Sequence, residues 1–348
     1  MNIEKQDFQY ILEDKNIDFK KFSGKTVLVT GASGMLAAYM VKTLLYLNTT
    51  KKMTPVKLFC LVRNQKKAKE IFLDYKNDEN LHFIEQDVKM PLLINDPIDY
   101  IIHAASSASG KFFYSDPVGV INANTLGTIN MLNLAKEKKV KSFLFFSSGE
   151  ACGDIFSRKD CVKESDYGII DPYDIRNCYA LSKKMGENIC YSYYCQFGIP
   201  TKSVRPSHTY GPGFKRDDDR AFAQFVMNAV NQQDIVLNSD GSAKRSFVYI
   251  ADATRAYFNV LLNGEDGNVY NVANSREISI RELAEIICKI SNNKISVKFC
   301  ENETNNSCSS IHGLQDICKI RALKWEPTIT EEEGFKRTFE FYKYTKST

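Results

Sequence analysis

The chain of 348 residues has no apolar run long enough to span a bilayer, and its first stretch, MNIEKQDFQYILEDKN, is too charged for a secretory signal. Neither membrane insertion nor export is expected. Its ten cysteines include no CxxC pair and no metal-ligand spacing, so no metal site is expected. Several of them lie in apolar strand or helix patterns, which fits buried free thiols in a reducing compartment. The chain also lacks a strong charge of either sign. Its 46 basic and 42 acidic residues leave +4, and no basic tract marks a nucleic-acid surface. A cytoplasmic protein with no nucleic-acid or membrane partner is expected. At about 150 residues per domain, this length suits one large domain with a smaller one attached.

What the chain does have is organised around Lys25 to Leu47, KTVLVTGASGMLAAYMVKTLLYL. Thr26 to Thr30 is a β-branched and apolar run of strand length, Gly31-Ala-Ser-Gly34 breaks it, and Met35 to Leu47 carries apolar residues at helical spacing. This is half of a βαβ unit. Gly31 suits a turn conformation closed to other residues, Gly34 lets the backbone approach a ligand, and Ala37 sits where helix and strand pack. A pyrophosphate would rest on the helix N-terminus, cradled by Gly31, Ser33, Gly34, Met35 and Leu36. Alone, the pattern is weak evidence, and an ordinary strand–turn–helix of another α/β protein is the alternative.

Phe8, Ile11 and Leu12 fall on one face of a short N-terminal helix that packs on the domain or on a partner subunit. Val56 to Val62 is a second strand with Arg63 at its end. An acidic residue there would bind ribose hydroxyls, whereas a guanidinium suits a 2′-phosphate, so Arg63 with Lys66 and Lys67 fits either NADP or a solvated helix start. A third strand, Leu81 to Gln86, delivers Asp87 and Val88 to the adenine end of the cleft. A fourth, Asp99 to Ala104, delivers Ala104, Ala105, Ser106 and Ser107. His103 reads as a hydrogen-bonded core histidine rather than a catalyst. A long helix from about Pro117 to Lys138 follows, in which Asn122, Asn124 and Gly127 suggest close packing on the sheet. Val140 to Ser147 is the fifth strand, carrying Ser148, Gly149 and Glu150 to the same edge, and Thr201 to Pro206 is the sixth.

Tyr179-Ala-Leu-Ser-Lys183 is the most specific signal. Positions i and i+4 share a helix face, so the phenol and the ammonium point the same way. A free tyrosine has a pKa of about 10, and service as a base near neutral pH needs a fall of ~3 units. Lys183 is expected to provide the positive charge that lowers it. Ser148, about thirty residues earlier, completes a catalytic group with Glu150 as a further carboxylate.

With these residues in hand the chain resembles the extended short-chain dehydrogenase/reductases that modify nucleotide sugars. TGASGMLA, HAAS, NANTLGT, YALSK, RPSHTYGP and KRSFVYIAD stand in that family's order from about Lys25 to Asn292. The resemblance implies an α/β fold, a Rossmann doubly wound parallel sheet with a smaller, mostly C-terminal substrate domain. Residues 1–23 form a helical extension, 24–206 with 244–262 the cofactor domain, and 207–243 with 263–348 the substrate domain. It implies bound NAD, with NADP an alternative because of Arg63, held also by Asn124, Tyr179 and Lys183. It implies a homodimer through a four-helix bundle of the helices containing 117–138 and 177–197.

The substrate would be a nucleotide sugar oxidised at C4, held by Ser107, Arg176, His208, Arg216, Arg220 and Arg245. Guanidinium groups match phosphate oxygens in two-pronged fashion, and Arg245 lies in the segment whose counterpart grips the diphosphate. Dehydratases of the family place Asp-Glu after the catalytic Thr/Ser; here Gly149-Glu150 stands there. Arg176-Asn177-Cys178-Tyr179 and the AASSASG loop look like those of UDP-glucuronate decarboxylases. The chain departs from the family with His208 for an asparagine and Gly110 for a proline. The implied activity is decarboxylation, with 4,6-dehydration or epimerisation as family alternatives and a non-catalytic dinucleotide sensor as the alternative of another class. Ser279 to Ile290 reads as a helix with a serine cap and Glu282 three residues on. The segment KFCENETNNSCSS reads as a polar loop.

Overall fold

The computed structural model describes residues 2–50, 52–155, 159–300 and 313–345. Most of the loop expected at KFCENETNNSCSS lies outside the described residues. The core is a parallel sheet of seven strands: β1 Thr26–Thr30, β2 Lys57–Val62, β3 Leu81–Glu85, β4 Tyr100–His103, β5 Ser142–Phe146, β6 Thr201–Pro206 and β7 Asn268–Val272. Their order across the sheet is β7-β6-β5-β4-β1-β2-β3. The chain therefore winds outward from β1 in both directions, and the switch point lies between β1 and β4. Strand β1, TVLVT, is buried along its whole length because helices cover both faces, which is why it reads as a continuous apolar run.

Three expectations change. The helix expected over 117–138 is two, Pro117–Asn124 and Leu126–Lys138, with Thr125 between them at φ −108° and ψ −67°. Two hydroxyls bond to helix carbonyls at the break. Thr125 Oγ1 donates to the Ile121 carbonyl and Thr128 Oγ1 to that of Asn124, bonds that compete with the helical ladder. The seventh strand, Asn268–Val272, pairs in parallel with β6, so part of the segment assigned to the substrate domain from residue 263 belongs to the Rossmann sheet. Residues 247–249 pair with 208–210 rather than with the main sheet, while the helix Ile250–Asn263 after them packs against β5 and β6.

The helix Cys178–Phe197 sits on β5 and on the helix Pro117–Asn124. Its Gly186 permits this, since a Cβ there would collide with the Phe145 ring and meet the Asn124 carbonyl at 3.2 Å. The helix Leu126–Lys138 comes equally close to the loop after β3, where a Cβ on Gly127 would lie 2.8 Å from Val88.

The N-terminal helix Ile3–Leu12 packs on the domain, with Phe8, Ile11 and Leu12 buried. Its Asp7 is wholly buried and joins three elements. Tyr39 from the glycine-turn helix and Tyr249 each donate to Asp7 Oδ2 at 2.6 Å, and Arg337 from the C-terminal helix Glu331–Tyr344 donates to Oδ1 at 2.9 Å. Burial raises the Asp7 pKa above the ordinary carboxylate value, and these partners oppose the rise. Removing the carboxylate strands two phenols and a guanidinium. Asp7→Ala is expected to lower unfolding stability by ~3 kcal/mol, read as a lower urea midpoint, and Asp7→Asn by less.

Candidate active site

The C-terminal ends of β1, β4, β5 and β6 share one edge of the sheet, and the sequence motifs lie at these ends. Gly31 turns the chain at φ +64°. A Cβ there would lie 2.7 Å from Ala105 Cα and 2.9 Å from the Ala104 carbonyl, so glycine is required by the loop after β4 as well as by the turn. Gly34 stands exposed at the N-terminus of the helix Met35–Thr50, with Ser33, Met35 and Leu36 half-buried around it. Thr30 Oγ1 accepts from the Ala105 N–H at 3.1 Å and lies 2.7 Å from His103 Nδ1. His103 Nε2 meets Thr128 Oγ1 at 3.1 Å. Because Thr128 gives its proton to Asn124 O, the imidazole donates from Nε2 and accepts at Nδ1. Burial holds its pKa down to about 3, so His103 is a neutral strut of the core, as expected.

The catalytic group converges. Tyr179 is buried, stacks on Phe113 at 4.8 Å between ring centroids, and shares a hydrogen bond with Ser148. Ser148 also caps the turn Gly149–Cys152 by accepting from the Glu150 N–H at 3.2 Å. Glu150 pairs with Arg176 at 3.4 Å, both of them exposed. Lys183 is on the same helix face as Tyr179, but its ammonium donates to the Phe146 carbonyl at 2.6 Å and lies 5.8 Å from the Tyr179 ring centroid.

The expected lowering of the tyrosine pKa by this lysine is thus corrected. Burial drives the Tyr179 pKa well above its ordinary value, and the opposing influences are the Ser148 hydrogen bond and the charge of Arg220. Burial likewise pushes Lys183 down to about 7, against the attraction of Glu187.

The substrate candidates divide. His208 is exposed at the surface of the site, and the protein atoms around it, with the charges of Arg245 and Arg220, lower its pKa. At neutral pH it meets a ligand as an uncharged imidazole. Arg220 is gripped by Asp218 through both carboxylate oxygens, at 2.9 and 2.7 Å. Arg245 is half-buried on the short strand Lys244–Arg245. Arg216 is not brought to the site: its Nη2 donates to the carbonyls of Tyr342 and Thr345, at 3.0 and 2.6 Å, capping the C-terminal helix. Ser107 is half-buried beside Ser106 in the loop after β4, and Arg63 is exposed at the end of β2. Asp87 caps its own turn through the Lys89 N–H at 3.0 Å, and Val88 turns its side chain into the core rather than the cleft.

Sequence reasoning missed Glu187 and Arg205. Arg205, fully buried on β6, donates from Nε and Nη2 to the two Glu187 oxygens, each at 2.7 Å, and Ser147 Oγ donates to Glu187 at 2.5 Å. The available signal was a carboxylate one turn after Lys183 and an arginine near the end of the strand Thr201–Pro206.

The residues present fit a dinucleotide. Among the described residues, Ser106 Oγ, Asn124 Oδ1, Ser207 Oγ and, on the helix Ile250–Asn263, Thr254 Oγ1 are buried polar atoms with no hydrogen-bond partner in the protein. Such atoms are rare and call for a ligand. Those of Ser106 and Asn124 belong to the candidate cofactor residues, and that of Ser207 adjoins His208.

The chain is similar to UDP-glucuronic acid decarboxylase 3 of Arabidopsis thaliana, with 30% identity over 88% of this chain and 86% of the relative. UDP-glucuronic acid decarboxylase 5 of the same plant is 29% identical over 90% and 87%. The fold is similar to that of UDP-glucuronic acid 4-epimerase from Bacillus cereus, solved with UDP-glucuronic acid and NAD. That match has a TM-score of 0.75, 22% identity, and covers 91% of this chain and 99% of the other. The model of the NAD dependent epimerase/dehydratase family matches residues 27–273. That span holds the parallel sheet from β1 to β7, the glycine turn and the tyrosine helix, and the chain belongs to the NAD dependent epimerase/dehydratase family.

Proposed function

We propose that the protein oxidises C4 of a nucleotide sugar with bound NAD and decarboxylates it, with UDP-glucuronate as substrate. The observation that carries this reading is Tyr179 set beside Ser148, with Gly149 next in the chain at the position where the dehydratases carry their acid. NAD, when bound, supplies the acceptor and later the donor of the C4 hydride, and places a positive ring near Tyr179. Tyr179 removes the C4 hydroxyl proton, Ser148 holds the same oxygen, and Lys183 orients the ribose from the same helix face. His208, Arg220 and Arg245 surround the nucleotide end, two of them cationic where the diphosphate carries negative charge. Glu150, steadied by Arg176, stands toward C5 and C6. A homodimer through the helices of 117–138 and 177–197 would cover the exposed apolar residues Val118, Ile121 and Leu126, and Met185 and Tyr191 on the tyrosine helix. No helix among the described residues is long and apolar enough to cross a membrane, and the described cysteines are unpaired, which supports a cytoplasmic setting.

Chemistry separates the reaction from its alternatives. A C4 ketone is β to the C6 carboxylate of a glucuronate, so carbon dioxide leaves while the ketone takes up the electrons as an enolate. No acid at the leaving group is needed. Loss of water from C6 of a neutral hexose requires a proton on the departing hydroxyl, which Gly149 cannot give. Supplied with UDP-glucuronate and NAD, the protein is expected to form a nucleotide product lighter by carbon dioxide, seen by chromatography with mass detection. UDP- or dTDP-glucose is expected to give no 4-keto-6-deoxy sugar. A product of unchanged mass from UDP-glucuronate, or one lighter by water from either glucose nucleotide, overturns this choice.

Two substitutions examine the roles. Tyr179→Phe removes only the phenolic oxygen, so folding and NAD binding are expected to survive while hydride transfer falls ~100-fold or more in single-turnover absorbance. Near-normal transfer removes Tyr179 as the base. Arg63→Asp is expected to shift cofactor preference away from NADP in paired titrations. An unchanged preference takes Arg63 out of the cofactor site.

A further inference from the structure

The place that an acid side chain would take at position 149 is occupied by another residue. A Cβ built on Gly149 lies 3.1 Å from Gln315 Nε2, 3.4 Å from its Cδ and 3.5 Å from its Oε1. The first of these is tighter than an ordinary side-chain contact and the other two are ordinary contact, so a side chain at 149 requires the amide to shift by a few tenths of an ångström. Gln315 is 3% exposed and its Nε2 donates to Asn271 Oδ1 at 3.2 Å. Asn271 is itself fixed at the end of β7. Its Nδ2 donates to the carbonyls of Val162 and Asp316, at 3.1 and 3.0 Å, and its N–H to Glu164 at 2.8 Å. The short strand Leu314–Gln315 is also paired in parallel with Cys161–Val162. The amide is therefore held against the catalytic turn from behind and from one side.

We propose that Gln315 is a specificity-determining residue of this site, standing at the C5–C6 end of the sugar where the dehydratases resembled by the chain carry an acid. The proposal rests on the C4-oxidation reading above. Direction is the first argument. The Cα–Cβ vector at 149 is set by the turn that begins there, with Ser148 on Tyr179 on one side and Glu150 on the other, so a side chain at 149 and the Gln315 amide compete for one volume. Chemistry is the second. An amide donates and accepts hydrogen bonds but has no proton to release near neutral pH, so it can hold a polar C6 substituent without protonating it. Decarboxylation tolerates such a neighbour, and loss of water does not. Gly149 and Gln315 are thus two halves of one choice: the glycine leaves the space, and a residue from the far end of the chain fills it with a non-acidic group.

Two measurements test this. The first is a thermal-unfolding cycle on the full chain with Gly149→Ala, Gln315→Ala and both. Gly149→Ala is expected to lower the midpoint, and the double variant to recover more than half of that fall, because shortening Gln315 admits the new methyl. Strict additivity overturns the shared volume. The second uses Gly149→Asp, alone and with Gln315→Ala, incubated with NAD and dTDP-glucose. The double variant is expected to yield a product lighter by water, at least about ten-fold above the single variant, since an acid–base group of this kind typically contributes more than that. Equal yield from the single variant, or none from a folded, NAD-binding double variant, overturns the assignment. The unfolding cycle reads no turnover. If the native protein leaves UDP-glucuronate unchanged while the cycle is non-additive, the substrate reading fails and the packing of Gln315 against Gly149 stands.

Discussion

The buried ion pair between Arg205 and Glu187 fixes the relation on which the rest of the site depends. Arg205 comes from β6 and Glu187 from the tyrosine helix, one turn beyond Lys183. The same carboxylate takes the Ser147 hydroxyl proton bond, and the same guanidinium reaches Cys152 Sγ at 3.4 Å and the Glu164 carbonyl at 3.0 Å. The catalytic turn between 147 and 152 is therefore gripped at both ends by a pair that also locates the helix bearing Tyr179 and Lys183. Burying two charges is costly, and such a pair persists when its geometry and extra hydrogen bonds offset the loss of water. Here nearly every donor and acceptor of the two groups is used. A hydrophobic pair could match its stability but would not set the register of turn against helix.

A second set of buried carboxylates plays the corresponding part on the other side of the sheet. Asp252 accepts from Tyr10 at 2.6 Å, from Arg255 at 2.9 Å and from the backbone of Thr328 and Ile329 at 2.9 and 2.8 Å. Asp14 also accepts from Arg255 Nε, at 2.8 Å. With Asp7 on Tyr39, Tyr249 and Arg337, the N-terminal helix is tied to the glycine-turn helix and to the C-terminal segment together. Whatever moves the substrate-binding part thus works against the first helix of the chain as well as against the sheet.

Most of the sheet was legible in the sequence because buried parallel strands read as unbroken apolar runs, and β1, β2, β4 and β5 all do. The Tyr179–Lys183 pairing was legible because helical spacing alone puts the two on one face. What was hidden depends on partners remote in sequence. Arg216 looks like an anion holder until the last helix supplies it with carbonyls from 342 and 345. Val88 looks like a cleft residue until Gly127 lets a helix close over it. β7 was hidden because Asn268 and Asn271 interrupt its apolar pattern, and Asn271 is there to knot β7 to residues 162 and 316. Gln315 sits more than 160 positions from Gly149, and no local pattern joins them.

The electrostatics of the site follow from burial more than from pairing. Enclosure raises Tyr179 and lowers Lys183 to about 7, so each group is driven toward its neutral form. The protein interior alone therefore does not make a tyrosinate. A positive charge brought beside Tyr179 favours the phenolate, and a negative charge brought beside Lys183 favours the ammonium, each in proportion to how little water screens it. Both groups respond strongly because both are buried, whereas Glu150 and Arg176 are exposed. The deep pair is thus suited to proton transfer that is switched by what the cleft holds, and the shallow pair to holding and orienting the sugar.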